Sequence, residues 1–90
     1  MEFEWDPEKA VRNLAKHGIS FQDAATVFGD PLSMTYYDSG HSDEEDRHLT
    51  LGHSNTGQLL VVSHTDRGEK TRIISARAAT RRERQQYEQE

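Results

Sequence analysis

The order of apolar and polar positions along the chain changes period twice. From Asp6 to Gly18 the pattern is helical: Val11, Leu14 and Ala15 form an apolar stripe with Ala10 beside it. Asp6-Pro7-Glu8 is a helix start, because an Asp cap accepts an orphan amide and proline at the first position gives up no hydrogen bond. Lys16 and His17 place cations in the last turn, and Gly18 permits the left-handed residue that ends a helix. Ser20 caps a second helix with Phe21, Ala24, Ala25 and Phe28 on one face, and Gly29-Asp30-Pro31 stops it.

After Pro31 the pattern becomes short β-compatible runs at 32–37, 45–52, 59–65 and 71–77. The segments Ser54-Asn55-Thr56-Gly57 and Asp66-Arg67-Gly68 are short enough for tight hairpins, so the last three runs form an antiparallel meander. Thr80 with Glu83 is a capping box that opens a third helix through Tyr87. The predicted order is ααββββα: an α+β fold with two N-terminal helices, an antiparallel sheet of about four strands and a C-terminal helix. Residues 1–90 are expected to form one domain with one core.

Composition narrows the chemistry. Without cysteine there is neither a disulfide framework nor a thiolate metal site, and the apolar run from Leu59 to Val62 is too short for a membrane span. The chain is therefore expected to be cytoplasmic. The formal net charge is −5, an average over two unlike parts. Residues 67–84 carry seven cations and two anions, and the rest carries four cations and fourteen anions. Such polarity fits one anion-binding face and one solvating or partner-binding face, although a basic C-terminal helix alone would give much of the same count.

Centring the hairpins on their turns pairs Arg47 with His64 and His64 with Thr71, and also Leu49 with Val62 and Val62 with Ile73. In that register Leu49, Leu51, Leu60, Val62 and Ile73 share an apolar face, with Glu45, Arg47, His64 and Thr71 as its polar end and Arg67 in the adjoining turn. The cluster offers a group to move protons and guanidiniums to hold a phosphate, as metal-free RNA cleavage requires. A structural Glu45–Arg47 ion pair is the simpler alternative. Arg77 falls on the same face roughly 20 Å from Arg67. It either extends a groove for several nucleotides or pairs with Glu83 to tie down the last helix. The five histidines match no paired-ligand spacing, and there is no glycine-rich phosphate loop or GxSxG elbow, so no metal or other cofactor is expected. Trp5, beside a helix start, is expected to be a core residue rather than a base-stacking one.

Three blocks, WDPEKAVRNLAKHGISF, HSDEEDR and RIISARAATRRERQQYE, in this order and spacing, resemble the BrnT toxins of bacterial type II toxin–antitoxin systems. With the strands between them they cover nearly the whole chain. The resemblance implies a RelE-like fold, ribonuclease activity that inhibits translation, and neutralisation by a small BrnA-like antitoxin that alone contacts operator DNA. It also implies roles for Trp5, Asp6, Lys9, Lys16, His17, Glu45, Arg47, Arg67 and Arg77. His64 departs from the family, where an aromatic such as tyrosine is expected, and could help or replace a proton-transfer group. The expected catalytic set is Lys16, His17, Glu45, Arg47, Arg67 and Arg77, acting on an RNA substrate. The competing reading is a non-catalytic, antitoxin-partnered binding module, followed by a metal-dependent hydrolase. The acidic surplus, including Asp43, Glu44 and Asp46, is expected to attract a cationic antitoxin segment. Tyr36, Tyr37 and the exposed part of the last helix are the anchors if the interface is instead apolar.

Overall fold

The computed structural model describes residues 1–41 and 45–89; Asp43 and Glu44, part of the expected acidic partner surface, lie outside them. Helix α1 runs Pro7–His17, with the Asp6 carboxylate accepting from the Glu8 amide at 2.9 Å. It ends at Gly18, whose φ of +71° is the left-handed region glycine adopts without strain. Helix α2 is shorter than the pattern predicts: Ser20 caps Phe21–Ala25, and Thr26–Gly29 tightens into a 3₁₀ turn. Helix α3, Arg81–Glu88, opens on the complete Thr80–Glu83 capping box.

The expected four-stranded antiparallel sheet is corrected to a mixed sheet of five. Strands β1 (Glu2–Glu4), β2 (Met34–Tyr37), β3 (His48–His53), β4 (Leu59–Arg67) and β5 (Lys70–Ala78) lie in the order β1-β5-β4-β3-β2, with β1 parallel to β5. Glu-Phe-Glu carries almost no strand signal of its own. Its pairing is imposed by β5, which also supplies Arg72 to bond Glu4 at 3.0 Å.

The sheet separates two apolar layers. On one face Leu60, Val62, Ile73 and Ala76 pack under Ile19, Phe21, Ala24 and Val27, with Trp5 edge-on to Phe21 at 5.9 Å. On the other, Leu51, Leu59 and Val61 meet Tyr87 of α3, with Leu49 alongside. Strand β4 is central and buried on both sides, which is why Leu59 to Val62 is continuously apolar.

The predicted register is corrected by one residue between β3 and β4: Leu49 faces Ser63 and Thr50 faces Val62. The loop is effectively three residues, since Ser54 and Gln58 still bond across it at 2.9 Å. A one-residue slip sends every side chain to the other face. Leu49 and Leu51 therefore leave the layer of Leu60, Val62 and Ile73. Between β4 and β5 the turn is Gly68-Glu69, with φ of +65° at Gly68. A bulge then shifts the ladder, so that Ser63 faces Ser75 while His64 faces Ile73.

The stripe expected to bury α1 is also corrected. Val11 is 69% exposed and Leu14 53%, and Ala15 is exposed as well. The helix docks instead through Asn13. Its Nδ2 donates to the carbonyls of Ile19 (3.0 Å) and Ala76 (2.9 Å), and its Oδ1 accepts from the Ala76 amide (3.1 Å). Among the described residues no strand pairs with β5 on this side beyond Arg72, and its backbone groups need partners. The amide of Asn13 substitutes for a peptide group of the missing strand. Among the described residues no helix is long and apolar enough to cross a membrane.

Candidate functional site

Helix α3 covers only one end of its sheet face. On the rest, Arg47 and Leu49 from the β3 side, Ser63 of β4, and Ile74, Ser75 and Arg77 of β5 line a depression of about 260 Å³ with Asp38. Across β5, Lys9, Arg12, Asn13, Lys16 and His17 of α1 line a second depression of about 370 Å³, again with Ile74 and Ser75. The two meet along the β5 bulge. Ile74 is the extra residue there, and bulges commonly re-aim side chains beside functional sites.

Each arginine of the first depression holds a carboxylate. Arg77 donates from both terminal nitrogens to Glu83, at 2.7 and 2.9 Å, and also reaches the Ala78 carbonyl at 3.3 Å. The fork of Arg77, aided by the Thr80 amide, pulls Glu83 down to about 2 against the opposing effect of burial. The pairing ties α3 to β5, while Arg77 also lines the depression. Arg47 lies 3.5 Å from Glu45 through Nε. Tyr36 stands close enough to feel both members of the Arg77–Glu83 pair. Burial and the Glu83 charge raise its pKa, and Arg77 partly offsets them.

Lys16 and His17 occupy the exposed last turn of α1. Arg67 is exposed at the end of β4, paired across the turn with Lys70. Alternation puts it on the same sheet face as Arg47, but seven residues of strand, roughly 20 Å, separate it from the level of Arg77, and it lines neither depression. Four of the six candidates thus gather around Ser75, Glu45 joins them through Arg47, and Arg67 stands apart.

The polar cluster of Glu45, Arg47, His64 and Thr71 does not form. His64 and Thr71 turn to the helix-covered face, and both are buried. The His64 ring packs edge-on to Phe28 at 4.8 Å and is stacked with His48 at 5.9 Å. Nε2 lies 2.7 Å from Thr50 Oγ1, which is itself 2.7 Å from Thr35 Oγ1. Burial first, then the neighbouring His48, lowers the His64 pKa to about 4 despite Asp66. A neutral, enclosed imidazole on the wrong face cannot exchange protons with the groove. Among the described residues, no three His, Asp or Glu side chains gather into a metal-binding group.

Sequence reasoning missed Ser75 and Asp38, and it named Tyr36 only together with Tyr37, as an interface anchor. Ser75 reaches both depressions only because of the bulge, which has no local signature. Tyr36 shared a strand with Tyr37, and nothing local told which of the two faced the arginines.

The fold has a close counterpart among solved structures, the ribonuclease toxin BrnT of Brucella abortus. The two share 26% sequence identity, with 90% of this chain and 99% of that one covered and a TM-score of 0.71. An α+β mixed sheet of this architecture is thus shared with a ribonuclease toxin. Residues 5–83 match the family described as "Ribonuclease toxin, BrnT, of type II toxin-antitoxin system". The chain belongs to the BrnT family. None of the curated proteins matches it.

Proposed function

We propose that the chain is a metal-independent endoribonuclease that inhibits translation, acts in the cytoplasm and is neutralised by a BrnA-like antitoxin, through which alone the pair contacts operator DNA. We take its fold to be RelE-like. The observation that carries the reading is the convergence of Arg47 and Arg77 on one side of the β5 bulge with Lys16 and His17 on the other. An RNA strand laid across Ser75 would bring one phosphate within reach of both sets.

The 2′-hydroxyl oxygen then attacks the adjacent phosphorus and its proton passes to Glu45 or His17. The bond from phosphorus to the 5′-oxygen breaks, and Lys16 or a histidine protonates the departing oxygen, leaving a cyclic phosphate and a 5′-hydroxyl. Guanidiniums of Arg47 and Arg77 stabilise the charge that grows on the phosphorane. Arg67, at the far end of the same face, holds a more distant stretch of the RNA backbone. Glu83 fills the fork of Arg77 and Glu45 lies beside Arg47 Nε, and each orients its guanidinium.

The test is to incubate the purified, antitoxin-free chain with RNA, with and without EDTA, and to identify the product ends. Cleavage that survives EDTA and leaves cyclic phosphates supports the mechanism. Loss of cleavage with EDTA would replace it with a metal-dependent one. A folded chain that binds its antitoxin but cleaves nothing would make it a binding module.

A further inference from the structure

Strand β2 ends the sheet, and among the described residues no strand lies beyond it. The Asp38 amide donates to the Arg47 carbonyl at 2.8 Å, which makes 38:47 a hydrogen-bonded pair of the antiparallel ladder. Such pairs alternate, so Met34 and Tyr36 bond to β3 while the amides and carbonyls of Thr35 and Tyr37 point outward. Exposed edges are usually blunted by lysine, proline or a bulge. Met34-Thr35-Tyr36-Tyr37 has none of these.

Side-chain sites flank this edge on both faces. On the α3 side, Met34, Tyr36, Gln86 and Gln89 surround a cavity of about 480 Å³. On the other, Tyr37 is 52% exposed. An added strand presents alternate side chains to alternate faces, so its backbone would meet the edge while one apolar residue entered the cavity.

We propose that β2 is the docking edge for an extended, cationic segment of the antitoxin, which adds to the sheet as a sixth strand. The inference rests on the toxin–antitoxin reading given above. A second copy of this chain fits less well. Two copies each carry a net charge of −5 and would repel one another. The exposed Asp46, which accepts from the Tyr37 hydroxyl at 3.2 Å, favours lysine or arginine on the incoming strand. Val11 and Leu14 of α1 form a rival apolar surface, but a helix already satisfies its own backbone there, whereas β2 does not. The docking edge also explains neutralisation. Tyr36 lines the cavity and shares its sheet face with Leu49, Ser63, Ser75 and Arg77, so a strand seated there adjoins the RNA groove and excludes substrate.

The experiment compares amide hydrogen exchange of the full chain alone and bound to its co-expressed antitoxin, and measures binding for Thr35→Pro and Thr35→Val. Both substitutions remove the Thr35 hydroxyl, but only proline removes the outward amide. We expect the Thr35 and Tyr37 amides to become protected in the complex. Thr35→Pro should weaken binding about tenfold or more, the equivalent of one backbone hydrogen bond, while Thr35→Val stays within about twofold. Melting temperature verifies that both variants fold. Protection confined to 11–17 on α1, or equal binding by the folded variants, overturns the docking edge and leaves the toxin reading intact. Dimers of the chain alone that disappear with Thr35→Pro overturn it in favour of a second copy. Failure of the folded chain to form any complex overturns both readings.

Discussion

The buried imidazole of His64 makes the fold sensitive to mild acid. In the unfolded chain a histidine takes up a proton below about 6.5, whereas in the folded protein His64 does so only near 4. Between those values unfolding binds a proton, so lowering the pH favours the unfolded state. Stability is fully present above pH 6.5 and falls by about 1.4 kcal/mol per unit as the pH drops toward 4. At pH 4.5 the loss amounts to about 2.5 kcal/mol, a large share of the 5–15 kcal/mol typical of a domain. Glu83 acts in a different window. Its folded pKa is depressed to about 2, so its contribution is present above about 4.5 and is lost only as the pH falls further toward 2. His64→Gln isolates the effect, because the amide has similar volume, can still bond Thr50 Oγ1 and does not titrate. At pH 7 the variant should be about 1 kcal/mol less stable through lost ring contacts with Phe28 and His48. At pH 4.5 it should be the more stable of the two by about 1.5 kcal/mol. Urea unfolding followed by Trp5 fluorescence at both pH values gives the comparison, with an unchanged m-value showing that the midpoint shift reports stability. Parallel loss of stability in parent and variant between pH 7 and 4.5 would refute the reasoning.

Three further outcomes are expected. Asn13→Leu strands the amide and carbonyl of Ala76 and the carbonyl of Ile19, and should cost about 3 kcal/mol or more in urea unfolding despite adding an apolar side chain. Gly52→Ala places a methyl 3.0 Å from Val27 Cγ1 and Ser33 Cβ and 3.2 Å from Asp30 Oδ2. Asp30 is itself held by the Tyr87 hydroxyl and the His53 amide, so overpacking should cost about 1–3 kcal/mol, read from thermal denaturation. Arg67→Ala should weaken RNA binding and so slow RNA cleavage without abolishing it, with almost no change in melting temperature, since the side chain is exposed at a turn; full activity in the folded variant would remove Arg67 from the site.

The starts of all three helices and the end of α1 were determined by the sequence alone. Asp6, Pro7 and Gly18 around α1, Ser20 before α2 and the Thr80–Glu83 box before α3 act within one turn of chain, so their neighbours in space are their neighbours in sequence. The same holds for the three-block motif that marks the family. Register was not determined in this way. A hairpin loop of three residues instead of four reversed the faces of Leu49 and Leu51, and a bulge at Ile74 reset the far half of β5. Strand β1 exists only because β5 offers an edge to pair with, and the free remainder of that edge drew Asn13 inward and left Val11 and Leu14 in solvent. The candidate site follows the same division. Its residue types were legible, but which of them meet was decided by backbone groups competing for partners distant in sequence. That competition buried His64 behind the sheet and brought Arg47, Arg77, Lys16 and His17 together around Ser75.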